Sequence, residues 1–255
     1  MSDLTNTKIP SEIDSLIVRS HIYRFLAHCF RRPNVNKTNL EKENTDMPWD
    51  EIAAALPLKD KAELIRRFKE LSEKLSQTIH KERVRQYEDC FGYTASGPVP
   101  CYELEYGEEH THREPQQLSD ISSFYNAFGL KIKEDNFERV DHIAVECEFM
   151  HYLLFKEVYA LSNADMENAA ICHEASTRFL REHLGRWSPS FSVKLSRHAQ
   201  QGFLKDLAEF TFSYIVHDCE WLGVTAGLED LPIRPIQEKE DSGCVNCSLR
   251  PATPQ

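Results

Sequence analysis

Glu138-Arg139-Val140-Asp141-His142-Ile143-Ala144-Val145-Glu146-Cys147-Glu148-Phe149-Met150 decides the fold. An acidic, histidine-bearing turn runs straight into a helical pattern. Ile143, Cys147, Met150, Leu154, Val158 and Leu161 follow one another at steps of three or four, which lines one face of a helix. Asp141 stands where a carboxylate accepts the free N–H groups of a first turn. His142 and Glu146 are one turn apart, so their side chains are neighbours. Polar chemistry is therefore expected at the mouth of a helix whose other face enters a core.

Outward from that helix, the same periodicity recurs. Upstream, Ser11 precedes a helix with Ile13, Leu16, Ile17, Tyr23, Leu26, Ala27 and Phe30 inward, closed by Pro33. Asp46 and Pro48 open a short helix through Trp49, Ile52 and Ala53. A long helix from about Asp60 carries Leu64, Phe68, Leu71, Leu75 and Ile79, and its spacing extends to Tyr87 and Phe91. Leu118, Ile121, Tyr125 and Phe128 form another, with Gly129 as its terminator. Downstream, Asp165 opens a helix that stops at Gly185. Ser188-Pro189 restarts the chain with Phe191, Val193 and Leu195 inward, and a last long helix runs through Phe203, Leu207, Phe210, Tyr214, Ile215 and Trp221. Between Phe91 and Pro115, three glycines and three prolines exclude a continuous helix. A loop this long within a helical protein is functional or disordered, and Tyr93, Tyr102 and Tyr106 argue against disorder.

The expectation is an all-α globule of nine or ten helices in one domain, residues 1–230, with 11–115 and 116–230 as candidate subdomains. Residues 231–255 read as a flexible tail carrying Cys244-Val-Asn-Cys247. With 41 acidic and 30 basic residues the net charge is −11, which repels nucleic acid and anionic lipid and favours a basic partner. No run is apolar enough for a signal peptide or a membrane span, so a cytoplasmic location is expected. The scattered cysteines then read as small core residues.

Conventional catalytic signatures are missing. There is no glycine-rich phosphate loop and no Gly-x-Ser-x-Gly elbow, so neither a bound cofactor nor a catalytic residue is expected. One enzymatic alternative stays open. Glu148 and His151 form a Glu-x-x-His pair, repeated by Glu109 and His112, as in helical-bundle metal centres. Cys244 and Cys247 supply two soft ligands where structural zinc needs four. The acidic segments offer binding chemistry instead. Residues 101–114 hold Glu103, Glu105, Glu108, Glu109 and Glu114 against Arg113, and residues 134–148 hold Glu134, Asp135, Glu138, Asp141, Glu146 and Glu148 against Arg139. With Tyr102, Tyr106 and Phe137 interleaved, they suit a peptide carrying arginine beside apolar residues.

Several motifs occur in a telling order: Tyr87-Glu88-x-x-Phe91, Pro98-Val99-Pro100-Cys101-Tyr102-Glu103, Tyr125-x-x-Phe128-Gly129-Leu130, Glu138-x-x-Asp141-His142-x-x-x-Glu146-x-Glu148-Phe149-Met150 and Phe179-Leu180-x-x-His183-Leu184-x-x-Trp187. From about Ser11 to Leu222 the chain resembles the TorD/DmsD/NarJ family, the assembly chaperones of molybdenum oxidoreductases. The resemblance implies an all-α fold and a non-enzymatic role. It implies a client, the immature catalytic subunit of a DMSO-reductase-type molybdoenzyme, bound with its twin-arginine leader before molybdenum cofactor insertion and export. It places client recognition on Tyr102, Glu103, Asp141 and His142, with Glu138 in the same turn and Glu146 and Glu148 one helical turn later; Tyr106 joins them as an aromatic of the acidic loop, in a chain that is a monomer or homodimer. Arg139-Val140 stands where the family often has proline. The Cys-x-x-Cys tail is not a general family feature.

Overall fold

A computed structural model describes residues 12–33, 61–93, 97–108, 114–131 and 138–234. The expected helix at Asp46–Ala53, the Glu109/His112 pair, Glu134, Asp135, Phe137 and the Cys244/Cys247 pair lie outside the described residues. Eight α-helices are described: α1 (Glu12–Cys29), α2 (Lys61–Gln77), α3 (His80–Phe91), α4 (Glu114–Ala127), α5 (Ile143–Ser162), α6 (Met166–Glu182), α7 (Leu184–Ala199) and α8 (Phe203–Trp221). A single 3-10 turn, Glu103–Glu105, interrupts the loop before α4. No strand occurs among the described residues, only two isolated β-bridges. The protein is all-α.

Helix α5 is the axis of the packing. It lies against α1 and α6, while α7 packs on α8 and α8 on α2. The sequence stripe underestimates its burial. Val145, Phe149 and Leu153 are buried along with Ile143, Cys147, Met150 and Leu154. A helix apolar around most of its circumference belongs inside a core, not on its surface. Even Glu146 is fully buried in its first turn.

Across the molecule, α1 is tied to α8 by a buried ion pair. Arg19 grips Asp218 with Nε–Oδ1 at 2.6 Å and Nη2–Oδ2 at 3.1 Å, and the Tyr23 hydroxyl donates to Oδ2 at 2.7 Å. The guanidinium also lies over the Trp221 ring at 4.4 Å.

Two boundaries differ from the sequence reading. The long helix from Asp60 is two helices. Thr78 turns its hydroxyl back onto the Lys74 carbonyl, and Ile79 is extended at φ −62°, ψ 147°, so that α3 starts afresh at His80. Ile79, expected inward, is 70 % exposed. The second difference is the Gly185 stop. The chain leaves helical geometry two residues earlier, at His183, and α7 runs through both Gly185 and Pro189. Proline at 189 has no N–H for the Gly185 carbonyl. That carbonyl is taken by the Gly227 N–H at 2.9 Å, so the orphan acceptor is satisfied from a distant segment. A Cβ at Gly227 would come within 1.8 Å of the Arg186 carbonyl oxygen, so only glycine allows this approach.

Elsewhere the local signals agree with the elements. Asp165 caps α6 by accepting the Asn168 N–H at 3.1 Å. Gly129 closes α4 at φ +71°, with the Leu130 N–H returning to the Tyr125 carbonyl.

Candidate functional site

The segment 97–108 is a loop clamped along both edges. On one edge it pairs with the entry to α5. The Ile143 N–H donates to the Cys101 carbonyl and the Glu103 N–H to the Asp141 carbonyl, both at 2.9 Å, which forms the antiparallel bridge Tyr102↔His142. On the other edge Tyr106 bridges Ile233, through the Gly107 N–H to the Pro232 carbonyl and the Arg234 N–H to the Glu105 carbonyl. Residues 231–234, expected in the tail, therefore belong to the packed body, and Arg234 is 9 % exposed. The Tyr106 hydroxyl donates to the Pro100 carbonyl at 2.6 Å, and its ring meets Trp187. The loop is thus an ordered part of the fold.

Beneath it lies a set of buried acids, each held by a different device. Asp141 is fully buried, and a guanidinium from its own turn occupies it. Arg139 makes a fork with Nε–Oδ1 at 3.0 Å and Nη2–Oδ2 at 2.6 Å. The same guanidinium reaches Glu105 at 3.2 Å and lies over the Tyr102 ring at 4.5 Å. Asp141 also accepts the Leu104 N–H, so it organises the loop and does not cap the helix as its position suggested. The cap of α5 is His142, whose Nδ1 accepts the Ala144 N–H at 3.1 Å. An accepting Nδ1 places the ring hydrogen on Nε2. Burial first, then the positive charge of Arg31 and Arg139, pushes the His142 pKa down to about 3, so the ring is neutral.

Glu103 is buried against α6 and α7, where His183 Nδ1 lies at 3.0 Å and Arg186 Nη2 at 2.5 Å. Glu146 accepts the Trp187 indole N–H at 3.0 Å through one oxygen, while its other oxygen has no hydrogen-bond partner. Burial, and then the charge of Glu103, raises its pKa well above the usual carboxylate range, so the buried site favours the protonated form of Glu146. The His183 and Trp187 positions of the last sequence motif thereby lock the loop onto the helical body.

The eight candidate residues divide by accessibility. Glu103 and Tyr106 of the loop, and Asp141, His142 and Glu146 beneath it, are buried. Tyr102 is 8 % exposed and carries Arg139 on its ring. Glu138 and Glu148 reach the surface, with side chains 25 % and 53 % exposed. Glu138 is held loosely: its Oε2 lies 3.5 Å from the Tyr102 hydroxyl and 3.4 Å from His142 Nε2. Burial raises its pKa, against the pull of the Tyr102 hydrogen bond and of Arg31 and Arg32. Glu148 is paired with Arg31 from the end of α1, and the next residue, Arg32, pairs with Glu88 of α3 at 2.6 Å.

Arg31, Arg32 and Glu88 were not among the sequence candidates, because pairings across 117 and 56 residues leave no local trace. The Glu148/His151 pair of the metal alternative is split. Glu148 faces Arg31, whereas His151 Nδ1 is engaged by Ser20 at 2.7 Å. Among the described residues no group of three or more His, Cys, Asp or Glu side chains is placed to hold a metal ion. No described helix is long and apolar enough to cross a membrane.

This geometry can be set beside known proteins. The family model of the nitrate reductase delta subunit matches residues 42–193. The chain is similar to the perchlorate reductase assembly chaperone protein of Dechloromonas aromatica (strain RCB), 26 % identical over 216 residues, covering 82 % of this chain and 93 % of that protein. It is 34 % identical over 89 residues to the selenate reductase assembly chaperone protein of Thauera selenatis, covering 33 % of this chain and 45 % of that one. Over 109 residues it is 26 % identical to chaperone protein TorD of Vibrio vulnificus (strain YJ016), covering 43 % and 48 %. The family match takes in α2 to α6 and most of α7, including the clamped loop, the Asp141-His142 turn and the helix that turn opens. The chain belongs to the nitrate reductase delta subunit family, the TorD/DmsD/NarJ group that its motifs resemble.

Proposed function

We propose that this chain is a cytoplasmic assembly chaperone for the catalytic subunit of a molybdenum-containing reductase. It holds the immature subunit and its twin-arginine leader, and it releases them once the cofactor is in place. The role is reversible capture, with no covalent bond made or broken on the chaperone. Relatives bearing the names of perchlorate, selenate and chlorate reductase assembly chaperones support the client class.

The single observation that carries the leader reading is Glu138. Its carboxylate is partly exposed, lies 3.4 Å from His142 Nε2 and 3.5 Å from the Tyr102 hydroxyl, and no Arg or Lys among the described residues pairs with it. A carboxylate set between an aromatic wall and the surface suits a guanidinium from another chain. In this reading Tyr102, Glu138 and Glu148 meet the client directly. Glu103, Tyr106, Asp141, His142 and Glu146 shape the platform from beneath. Arg139, already bound to Asp141, serves as a fixed cationic wall that sets the ligand's orientation.

Tagged chain recovered from its native cell tests the client class. The expected result is stoichiometric co-purification of a reductase catalytic subunit lacking molybdenum. Recovery without any such subunit, or only with the cofactor-loaded enzyme, overturns the reading.

A further inference from the structure

Arg31 and Arg32 are consecutive arginines, followed by Pro33. Helix α1 ends at Cys29, and the two side chains splay to different partners: Arg31 to Glu148 on α5, Arg32 to Glu88 on α3. Glu138 feels the charge of both. The chain's own Arg-Arg pair thus occupies the acidic face that surrounds Glu138.

From this arrangement we infer that Glu88, Glu138 and Glu148 form one acceptor face for a peptide segment bearing two adjacent arginines, and that Arg31-Arg32 is its built-in occupant, displaced when the segment binds. The inference rests on the reading that this face receives an arginine-bearing leader. It adds the residues that hold the arginines and the step that admits them.

A second feature points to an absent ligand. His142 Nε2 is fully buried and has no hydrogen-bond partner, although Glu138 Oε2 lies only 3.4 Å away. A buried donor left without an acceptor is costly. A guanidinium drawing Glu138 into a fixed position would let the carboxylate accept that hydrogen.

The internal pairs are suited to exchange. The Arg31 and Arg32 side chains are 36 % and 53 % exposed. Exposed ion pairs are weak because water and salt screen them. The buried Arg139–Asp141 fork, by contrast, is fixed and stays in place. Replacing like with like means that charge pairing selects arginine but adds little affinity, which is left to the leader's apolar part meeting the aromatic wall. A segment without two arginines cannot complete the exchange.

Calorimetry on the full chain tests this with a synthetic leader-length peptide containing one Arg-Arg pair, and its Gln-Gln counterpart. Three proteins are compared: wild type, Arg31→Gln/Arg32→Gln and, as a control of equal charge change on α2, Arg66→Gln/Arg67→Gln. Removal of the internal occupant is expected to tighten Arg-Arg peptide binding about fivefold to tenfold, the range set by two weak surface pairs. The control is expected to change it less than twofold. Equal tightening in both double variants would make the effect one of net charge and overturn the exchange. Binding by wild type that the Arg31→Gln/Arg32→Gln variant leaves unchanged or weakens would overturn the exchange but leave leader capture standing. Absence of peptide binding by all three proteins would overturn both.

Discussion

A carboxyl group shut away from water keeps its proton unless a cation is supplied, and Glu146 has only an indole N–H and an unpaired oxygen. Its raised pKa means that the folded chain retains a proton that the unfolded chain loses above the usual value of 4.5. Stability from this group is therefore complete below that pH and falls as pH rises, until the folded pKa is passed. His142 acts in the opposite direction. The unfolded ring takes up a proton below 6.5, and the folded one not until about 3, so stability declines as pH falls across that interval. Taken together, the two groups favour the native state most between pH 4.5 and 6.5. Glu146→Gln keeps an acceptor for Trp187 and removes the alkaline loss. Urea unfolding at pH 5 and pH 8 is expected to show the variant gaining on wild type as the pH rises. Parallel stability–pH curves would contradict a protonated Glu146. In the sequence, Glu146 and Asp141 looked alike as surface acids. Only tertiary packing separates one whose partner is the Trp187 indole from one held in the fork of Arg139.

Among the elements, the helices whose ends carry their own chemistry were legible. Asp165 opens α6, Gly129 closes α4 and Pro33 follows α1, each through hydrogen bonds or dihedrals set within a few residues. The errors fall where the deciding partner is remote. Pro189 looked like a restart, but Gly227 satisfies the carbonyl that proline frees, so α7 continues. The break at Ile79 has no Gly or Pro to announce it. The clasp between α1 and α8 was invisible for the same reason, since Arg19 and Asp218 are 199 residues apart. Their pairing is buried, with side chains 1 % and 3 % exposed, and it is shared with Tyr23. Asp218→Ala leaves a guanidinium without its counter-charge in the core, and a loss of about 3–5 kcal/mol is expected in chemical denaturation. A loss below about 1 kcal/mol would mean that Arg19 escapes to water and that the clasp contributes little.

For the whole molecule, the sequence carried the fold class and the family, because helical periodicity and ordered motifs survive without knowledge of contacts. It also put Glu138, Asp141 and His142 in one turn, but not Tyr102 beside them; the bridge Tyr102↔His142 that joins the two stretches is tertiary. What it could not carry was which acids face outward. Arg139 fills Asp141, α6 and α7 cover Glu103, and the open carboxylates are those at the rim with Arg31 and Arg32. The acidic excess, a net charge of −11, is thus partly buried, and of the acids nearest Tyr102 it is Glu138 that reaches the surface. The account's central claim is that Glu138 accepts an arginine of the client's leader. Its most direct measurement is the affinity of wild type and of Glu138→Gln for the leader with Arg-Arg and with Gln-Gln. Wild type is expected to prefer Arg-Arg by roughly tenfold or more, a factor worth about 1.4 kcal/mol, and Glu138→Gln to lose most of that preference. Equal affinity of wild type for the two leaders, or a preference undiminished in Glu138→Gln, would contradict it.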